Sequence, residues 1–272
     1  MHRATLKRRV RARDLGVRSG RQIELALEPA EVGAGLTLVR SDLAQQWPLD
    51  LEHSQAGPGC TLSGEGAAAV AFVEHLLAAL GALGVTDARI VLSGPEVPMF
   101  DGSALPLLSL IESAGLAGSE VELCPLVVAE PVLVAEQGAA LFALPGEPAE
   151  LTYAVAYDHP LIGSEFAGFR PGADDFAVEL APARTFITVE EAEAARAAGL
   201  LNGGGEENAL VVYPDHLSEE PTVPQPFARH KLVDLLGDLY LLGRPVRGRI
   251  FAFHTGHRHH HALAHALAAQ AR

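Results

Sequence analysis

The sequence is poor in cysteine and in long apolar runs. Cys60 and Cys124 are its only cysteines among 272 residues, and their spacing matches neither a metal-binding pattern nor a disulfide framework. Such cysteine usage is typical of a reducing compartment, so we predict a cytoplasmic protein. No stretch approaches the ~20 apolar residues that a transmembrane helix needs, so we predict no membrane-spanning segment.

Positive charge is scarce as well. The chain has 20 Lys and Arg against 34 Asp and Glu, which gives a formal net charge of -14. Nucleic acid is therefore excluded as the main partner, because its phosphates require a positive field. Eight of the 20 basic residues lie between Arg3 and Arg21. No apolar stretch or cleavage site follows them, which disfavours a targeting peptide and favours a solvated first strand, "TLKRRVRARD".

The order of the predicted elements indicates an α+β fold. In each half of the chain, strand patterns come first and a strand–helix arrangement follows, which suggests two similar α+β units joined near residues 119–126. We therefore predict domains at 1–121 and 122–272. The predicted helices are "AAAVAFVEHLLAALGALGV", "LPLLSLIESAGL" closed by Gly118, "VEEAEAARAAGL", "FARHKLVDLLGDLYLLG" and a His-rich final helix.

One predicted helix carries a row of charged and titratable groups on an otherwise apolar surface. His230, Asp234 and Asp238 fall at i, i+4 and i+8, so their side chains stack along one side. A His and an Asp four residues apart can bind one metal ion together. A buried ion pair or a hydrogen-bonded cluster on the helix face would give the same pattern.

A second helix offers a further ligand and a base. In "FVEHLLAAL", Glu74 and His75 are the charged or titratable groups, and the other residues are Ala, Val, Leu and Phe. Adjacent residues lie about 100° apart on a helix, so both can face one cavity, with His on a metal and Glu on a water molecule. The alternative is a glutamate at the edge of the core that reaches solvent.

The C-terminal segment "FHTGHRHHHALAHAL" contains six histidines. His257 and His261, and His261 and His265, are each four apart, which raises a second metal site as one interpretation and a solvated helix face as another. His257 follows Thr-Gly at a predicted strand-to-helix turn, where its side chain can be held out into a site. Amide hydrolysis requires such a second proton-handling group, because the leaving nitrogen must be protonated.

Seven segments together resemble one enzyme family in order and spacing. They are "VEHLLAALGALGV", "GPEVPMFDGSALPLL", "YDHPLIG", "ARTF", "GGGEENALVV", "RHKLVDLLGDLYLLG" and "TGH". The chain resembles, over nearly its whole length, the UDP-3-O-acyl-N-acetylglucosamine deacetylases of lipid A synthesis (LpxC). The resemblance implies zinc-dependent hydrolysis of the acetamide of a glucosamine. It also implies two similar domains, each a sheet with two helices, stacked as a β-α-α-β sandwich.

The resemblance also assigns site residues by matching positions. It implies one catalytic zinc ion, with His75, His230 and Asp234 as its ligands. Glu74 would be the general base that deprotonates the attacking water. His257 would be the charged partner that protonates the leaving amine or stabilises the oxyanion.

Further positions match supporting roles in the family. Asp238 would orient His257, and Thr185 would donate a hydrogen bond to the tetrahedral oxyanion. Lys231 would contact the substrate. The substrate-binding aromatics would be Tyr157, which matches the residue that stacks on uracil, and Phe186. The expected partner is a small amino-sugar molecule, and the resemblance leaves open its nucleotide and acyl groups and a transient contact with a membrane surface.

Several positions depart from the family pattern. Arg18 stands where a histidine is expected, and Ile187 and Thr188 replace Gly-Phe after "ARTF". Leu144 replaces a lysine near the diphosphate, and Ala156 replaces an acidic residue before Tyr157. The stretch near 186–212, which corresponds to the acyl-chain passage, is short or polar and rich in acidic residues, although a fatty chain gains its ~0.8 kcal/mol per methylene only against apolar walls.

Three hypotheses about function follow. The first is zinc-dependent deacetylation of an N-acetylated amino sugar, with UDP-3-O-acyl-N-acetylglucosamine as the default substrate. The second is the same amidohydrolase chemistry on an N-acyl sugar without the acyl chain or the nucleotide. The third is a non-catalytic metal-binding homologue. Zinc is the family's metal, but a His₂Asp set also accepts iron or cobalt.

Overall fold

A computed structural model describes residues 1–57, 59–64 and 68–270 as an α+β structure with mixed sheets and six helices. The strands of the first half are β1 (His2–Leu6), β2 (Val10–Leu15), β3 (Gln22–Pro29), β4 (Leu36–Arg40), β5 (Gln45–Pro48), β6 (Ser54–Ala56), β7 (Cys60–Ser63), β8 (Ala69–Ala71), β9 (Ala88–Leu92) and β10 (Leu116–Glu122). Those of the second half are β11 (Leu126–Val127), β12 (Val132–Glu136), β13 (Ala139–Leu144), β14 (Glu150–Ala156), β15 (Ser164–Phe169), β16 (Phe186–Thr188), β17 (Leu210–Val212), β18 (Val246–Arg247) and β19 (Arg249–Phe253). The helices are α1 (Glu74–Ala82), α2 (Leu105–Ala114), α3 (Phe176–Glu179), α4 (Val189–Ala197), α5 (Pro226–Tyr240) and α6 (His257–Gln270).

Two five-stranded sheets share one topology. The first has the strand order β2-β3-β9-β4-β5 and the second β12-β13-β19-β14-β15. In each, the central strand, β9 or β19, pairs antiparallel with one neighbour and parallel with the other. Residues of β4 and β9 alternate between buried and half-buried, as expected for strands with one face on a core. The domain boundary near residues 119–126 stays a prediction.

The segment with Glu74 and His75 meets the segment with His230 and Asp234 where α1 packs against α5. A Cβ atom added to Gly237 of α5 would lie 2.0 Å from the backbone oxygen of Glu74, the first residue of α1. Only a glycine therefore allows the two backbones to approach this closely. Around this contact, α5 also packs on β14 and β15, α2 packs on α1, and α6 packs on α5, β12 and β13.

The first predicted helix begins later than its sequence pattern indicated. Ala67, its predicted first residue, lies outside the described residues, and Ala69–Ala71 form β8, which pairs with β7. Phe72 follows with a φ of 60°, so the chain turns before the helix begins at Glu74. Alanine propensity is overridden here by strand pairing. As a result, Glu74 and His75 lie in the first turn of α1.

Two other boundaries were predicted wrongly. The stretch predicted as one strand is two, because β1 pairs with β10 and β2 pairs with β3, and the Lys7 amide between them donates to the carbonyl of Gly115. Helix α2 ends before Gly115, which has a φ of 67°, so Gly118 lies within β10 instead of closing the helix.

The remaining predicted helices are confirmed with small shifts at their ends. Helix α5 spans Pro226–Tyr240 against the predicted 227–243. Helix α4 begins at Val189 as predicted, and Thr188 and Glu191 form a capping box at its start. Among the described helices, none is long and apolar enough to cross a membrane.

Gly237→Ala tests the close approach of α1 and α5. In an exposed helix this change would stabilise the chain by about 1 kcal/mol. Here the added methyl meets backbone atoms that cannot rotate away, so we expect unfolding free energy to fall by about 3 kcal/mol or more, the upper end of overpacking. Chemical denaturation measures the change. Gly118→Ala is the control, since its added Cβ meets nothing within 4 Å; equal stability of the two variants would contradict the packing described.

Candidate active site

Three buried side chains from two helices converge on a single point. His75 is the second residue of α1, and His230 and Asp234 lie one turn apart on α5. The Nε2 atoms of His75 and His230 each lie 3.5 Å from Asp234 Oδ1, and the two imidazole rings are 5.0 Å apart at nearly right angles. Each of the three residues is at most 4% exposed.

The spacing of these atoms fits a shared metal ion better than direct hydrogen bonds. Metal–ligand bonds of about 2.0–2.2 Å at tetrahedral angles place neighbouring ligand atoms about 3.4 Å apart, whereas N–H···O bonds are ~2.9 Å. His230 Nδ1 lies 3.2 Å from the Ala183 carbonyl, which can only accept a hydrogen bond. Nδ1–H is therefore the donor, and Nε2 of the same ring is left with a free lone pair. Burial lowers the pKa of His230 to about 3, which keeps this imidazole neutral.

Asp234 is held between the histidines and a lysine. Its Oδ2 accepts a hydrogen bond of 2.9 Å from Lys231 Nζ, while Oδ1 faces the two imidazoles. Burial opposes ionisation of Asp234, but the adjacent Lys231 ammonium overrides it and holds the carboxyl pKa well below its usual range. A donor set of two imidazoles and one carboxylate suits Zn²⁺, and iron and cobalt as well.

Glu74 and His257 face each other beside His75, His230 and Asp234, which we call the triad. Glu74 Oε2 accepts a hydrogen bond of 3.0 Å from the Cys60 amide, and its Oε1 lies 3.8 Å from His257 Nε2. Ligand-capable atoms of Glu74 and His257 lie within 4.8 Å of one another and of Asp234. Burial raises the pKa of the Glu74 carboxyl above its usual value, as expected for a general base poised to take up a proton.

Asp238 anchors the imidazole of His257 from behind. Its Oδ2 is 2.7 Å from His257 Nδ1 and also 2.7 Å from His260 Nδ1. Burial alone would lower the pKa of His257, but the Asp238 carboxylate outweighs it and the pKa rises to about 10. His257 is therefore a cation at neutral pH, and its Nε2 atom lies nearest to Glu74 at 3.8 Å from Oε1.

The histidines of α6 divide differently from the sequence-based pairing. His257, His260 and His261 turn inward, whereas His265 is exposed. The inward positions are i, i+3 and i+4, a single helix face, and this periodicity could have selected them from the six histidines. His260 was missed because a run of histidines gives no other signal of burial. The role of the Cys60 amide also has no sequence signal, since it is a backbone contact.

The remaining predicted residues lie beside the triad or next to its neighbours. The Phe186 ring is 6.1 Å from the His230 ring and 5.7 Å from Lys231 Nζ, and Tyr157 packs edge-on against Phe186 at 5.8 Å. Thr185 precedes Phe186, and its amide donates to the Gly102 carbonyl at 2.8 Å. The structure thus brings all ten predicted site residues into one region.

Thr185 and Phe186 also line a cavity of about 460 Å³. Its walls include the apolar side chains of Ile187, Val189 and Leu200 from the stretch near 186–212. Arg18, Arg196 and Glu206 add charged groups to the walls, whereas the acidic residues of α4, such as Glu193, are exposed and do not line the cavity. The acidic composition of this stretch therefore conceals an apolar face, and the cavity has the size of a small-molecule pocket.

Comparison with known proteins identifies relatives over nearly the full chain. Residues 3–269 match the LpxC family, described as UDP-3-O-acyl N-acetylglycosamine deacetylase. The chain is 34% identical to the UDP-3-O-acyl-N-acetylglucosamine deacetylase of Leptospira biflexa serovar Patoc, over 99% of this chain and 91% of that protein. It is 38% identical to the protein of that name in Anaeromyxobacter dehalogenans, over 95% and 85%, and 36% identical to the one in Synechocystis sp., over 97% and 98%.

Removal of one imidazole tests the triad as a metal centre. His230→Ala should lose one equivalent of bound Zn²⁺ and weaken affinity at that centre more than about 100-fold, since even a residue that only orients a ligand costs about 10–100-fold. Metal analysis after gel filtration and a competition titration with a chelator measure both quantities. His265→Ala, on an exposed position of α6, is the control and should match the wild type. Unchanged zinc content in His230→Ala would rule the triad out.

Proposed function

The chain belongs to the family of UDP-3-O-acyl N-acetylglycosamine deacetylases, and we propose that it performs this N-deacetylation with a divalent metal held by His75, His230 and Asp234. Its function is the removal of the acetyl group of UDP-3-O-acyl-N-acetylglucosamine, a reaction of lipid A synthesis. One observation supports the metal-dependent mechanism above all: the Glu74 carboxylate and the His257 imidazole face each other directly beside the triad.

The acid–base pair supports a hydrolytic reaction. A bound zinc ion would polarise the acetamide carbonyl and acidify water. Glu74, held at Oε2 by the Cys60 amide, takes the proton of the attacking water with its free Oε1. His257 donates its Nε2 proton to the departing amine as the C–N bond breaks, which gives acetate and the free amino sugar. The Glu74 proton then returns to His257 through a water molecule, because the two side chains are 3.8 Å apart, and both groups are restored.

Five other side chains support the reaction by position. Asp238 keeps His257 protonated and oriented. We propose that Thr185 donates to the oxyanion, that Lys231 contacts the substrate while holding Asp234, and that Tyr157 stacks on the nucleotide base. The Phe186 ring, beside His230, would pack against the substrate.

The apolar part of the cavity wall supports recognition of the 3-O-acyl chain. Its aliphatic wall begins at Phe186, next to the triad, and continues along the inner face of α4.

A different observation favours the second candidate, an N-acyl sugar without a nucleotide. Leu144 and Ala156 replace the polar residues expected near the diphosphate and the base, and both are exposed on β13 and β14.

The architecture supports the sandwich arrangement of the family. We propose that 1–121 and 122–272 form two similar domains whose sheets enclose the helices as β-α-α-β layers. The shared topology of the two five-stranded sheets and the contact between α1 and α5 support this arrangement. The cytoplasmic location stays a prediction.

Glu74→Gln tests the general base and the non-catalytic alternative together. The amide keeps the size of the side chain but cannot take a proton, so turnover should fall about 10²–10⁴-fold while bound zinc is unchanged. Steady-state deacetylation and metal analysis of the same preparation measure both. Glu193→Gln, an exposed change on α4, is the control. Full activity in Glu74→Gln would contradict the proposed mechanism.

A series of UDP-linked substrates with increasing acyl length tests the cavity. Burial of about 0.8 kcal/mol per methylene corresponds to ~4-fold in kcat/KM for each added group that enters the cavity. Leu200→Asp, at the cavity wall, should reduce this dependence, whereas Leu43→Asp, comparably exposed elsewhere, should not. Equal kcat/KM with and without the acyl chain would contradict recognition of that chain by the cavity.

A further inference from the structure

The final helix carries a histidine that the deacetylation does not use. His261 Nε2 lies 3.4 Å from Cys60 Sγ and 3.6 Å from Asp238 Oδ1. Cys60 comes from β7, Asp238 from α5 and His261 from α6, and the three residues are 0%, 0% and 6% exposed. We propose that they form a second metal site, distinct from the triad, for a thiophilic divalent cation such as Zn²⁺ or Cd²⁺.

The spacing of the three donor atoms supports this assignment. Zinc bonds of ~2.3 Å to sulfur and about 2.0–2.1 Å to nitrogen, at tetrahedral angles, separate the two ligand atoms by about 3.5 Å. Sγ and Nε2 are 3.4 Å apart, and all three donor atoms lie within 4.8 Å of one another. The ligands are therefore arranged for a cation without movement of the backbone.

The hydrogen bonds around Asp238 leave one oxygen unsatisfied. Oδ2 meets the Nδ1 atoms of His257 and His260, but Oδ1 is fully buried and has no hydrogen-bond partner among the described residues. If His261 Nε2 accepts a hydrogen bond from the Cys60 thiol, Asp238 Oδ1 lacks a donor. If Nε2 is protonated instead, its 3.6 Å distance from Oδ1 is too long for a good hydrogen bond. A cation satisfies all three atoms at once, and an unsatisfied buried carboxylate oxygen is costly.

The local charge also favours a cation. Burial raises the pKa of the Cys60 thiol well above its usual value, and the Asp238 and Glu74 carboxylates raise it further. The thiol is therefore protonated in the absence of metal. Binding replaces this proton with the cation and releases one H⁺ to solvent, while the surrounding carboxylates attract the positive charge.

The second site differs from the triad in its chemistry and in what it connects. It shares no ligand with His75, His230 and Asp234, and its thiolate gives it a preference for softer metals. A metal here joins β7 to α5 and α6, so its binding stabilises the fold by mass action. His257 and His265, the partners first considered for His261, are not ligands: His257 is bound to Asp238 and His265 is exposed.

Cobalt substitution distinguishes the two sites by spectroscopy. The triad offers only nitrogen and oxygen, so a thiolate-to-Co²⁺ charge-transfer band in the near ultraviolet reports the second site alone. We expect the apoprotein to bind two Co²⁺ per chain and to develop this band. Cys60→Ser and His261→Asn should each lose the band and one equivalent of metal. Cys124→Ser, which removes the exposed cysteine, is the control and should retain both.

The outcomes separate this proposal from the proposed function. His230→Ala should lose the triad metal yet keep the thiolate band, so either site can fail without the other. One Co²⁺ per chain and no band in the wild type would overturn the second site, and this measurement requires no variant to fold. A band that persists in Cys60→Ser, or that disappears in Cys124→Ser, would assign the metal to the surface thiol and overturn it as well.

Discussion

The candidate site depends on the contact between α1 and α5. At Gly237 the backbone of α5 lies against the backbone of Glu74, closer than any residue with a Cβ would permit. This contact sets the distance between His75 on one helix and His230 and Asp234 on the other. A metal site tolerates errors of only a few tenths of an ångström in ligand position, so helix packing here determines chemistry directly.

The burial of charge is the second constraint, and in this chain several side chains contact each buried carboxylate. Asp234 lies among Lys231 and two imidazoles, and Asp238 receives hydrogen bonds from His257 and His260. Each carboxylate thus has cationic or N–H partners in place of water, which offsets the cost of removing it from solvent. The second oxygen of each carboxylate faces other groups. Asp234 Oδ1 faces the imidazoles of His75 and His230, and Asp238 Oδ1 faces His261 Nε2. An oxygen placed in this way suits metal ligation.

Much of the fold followed from periodicity and turn residues, but not all of it. The apolar periodicity of α5 and the capping box of α4 predict those helices to within a few residues, because their signals are local. The predicted start of α1 was wrong because residues 69–71 form β8, which pairs with β7. The helix propensity of alanine is a local property and does not report such pairing. The break between β1 and β2 was not predicted for the same reason, because the two strands pair with partners in different sheets.

The sequence by itself determined the chemistry available: two motifs with Glu74, His75, His230 and Asp234, and a repeated order of strands and helices. Only the tertiary structure decided which histidines of α6 face inward, that the Cys60 amide holds Glu74, and that Cys60 meets His261 across 201 positions of sequence. The physical reason is that side-chain type and period are local properties of the chain. Distances between ligands are set by how distant elements pack, which no single segment encodes.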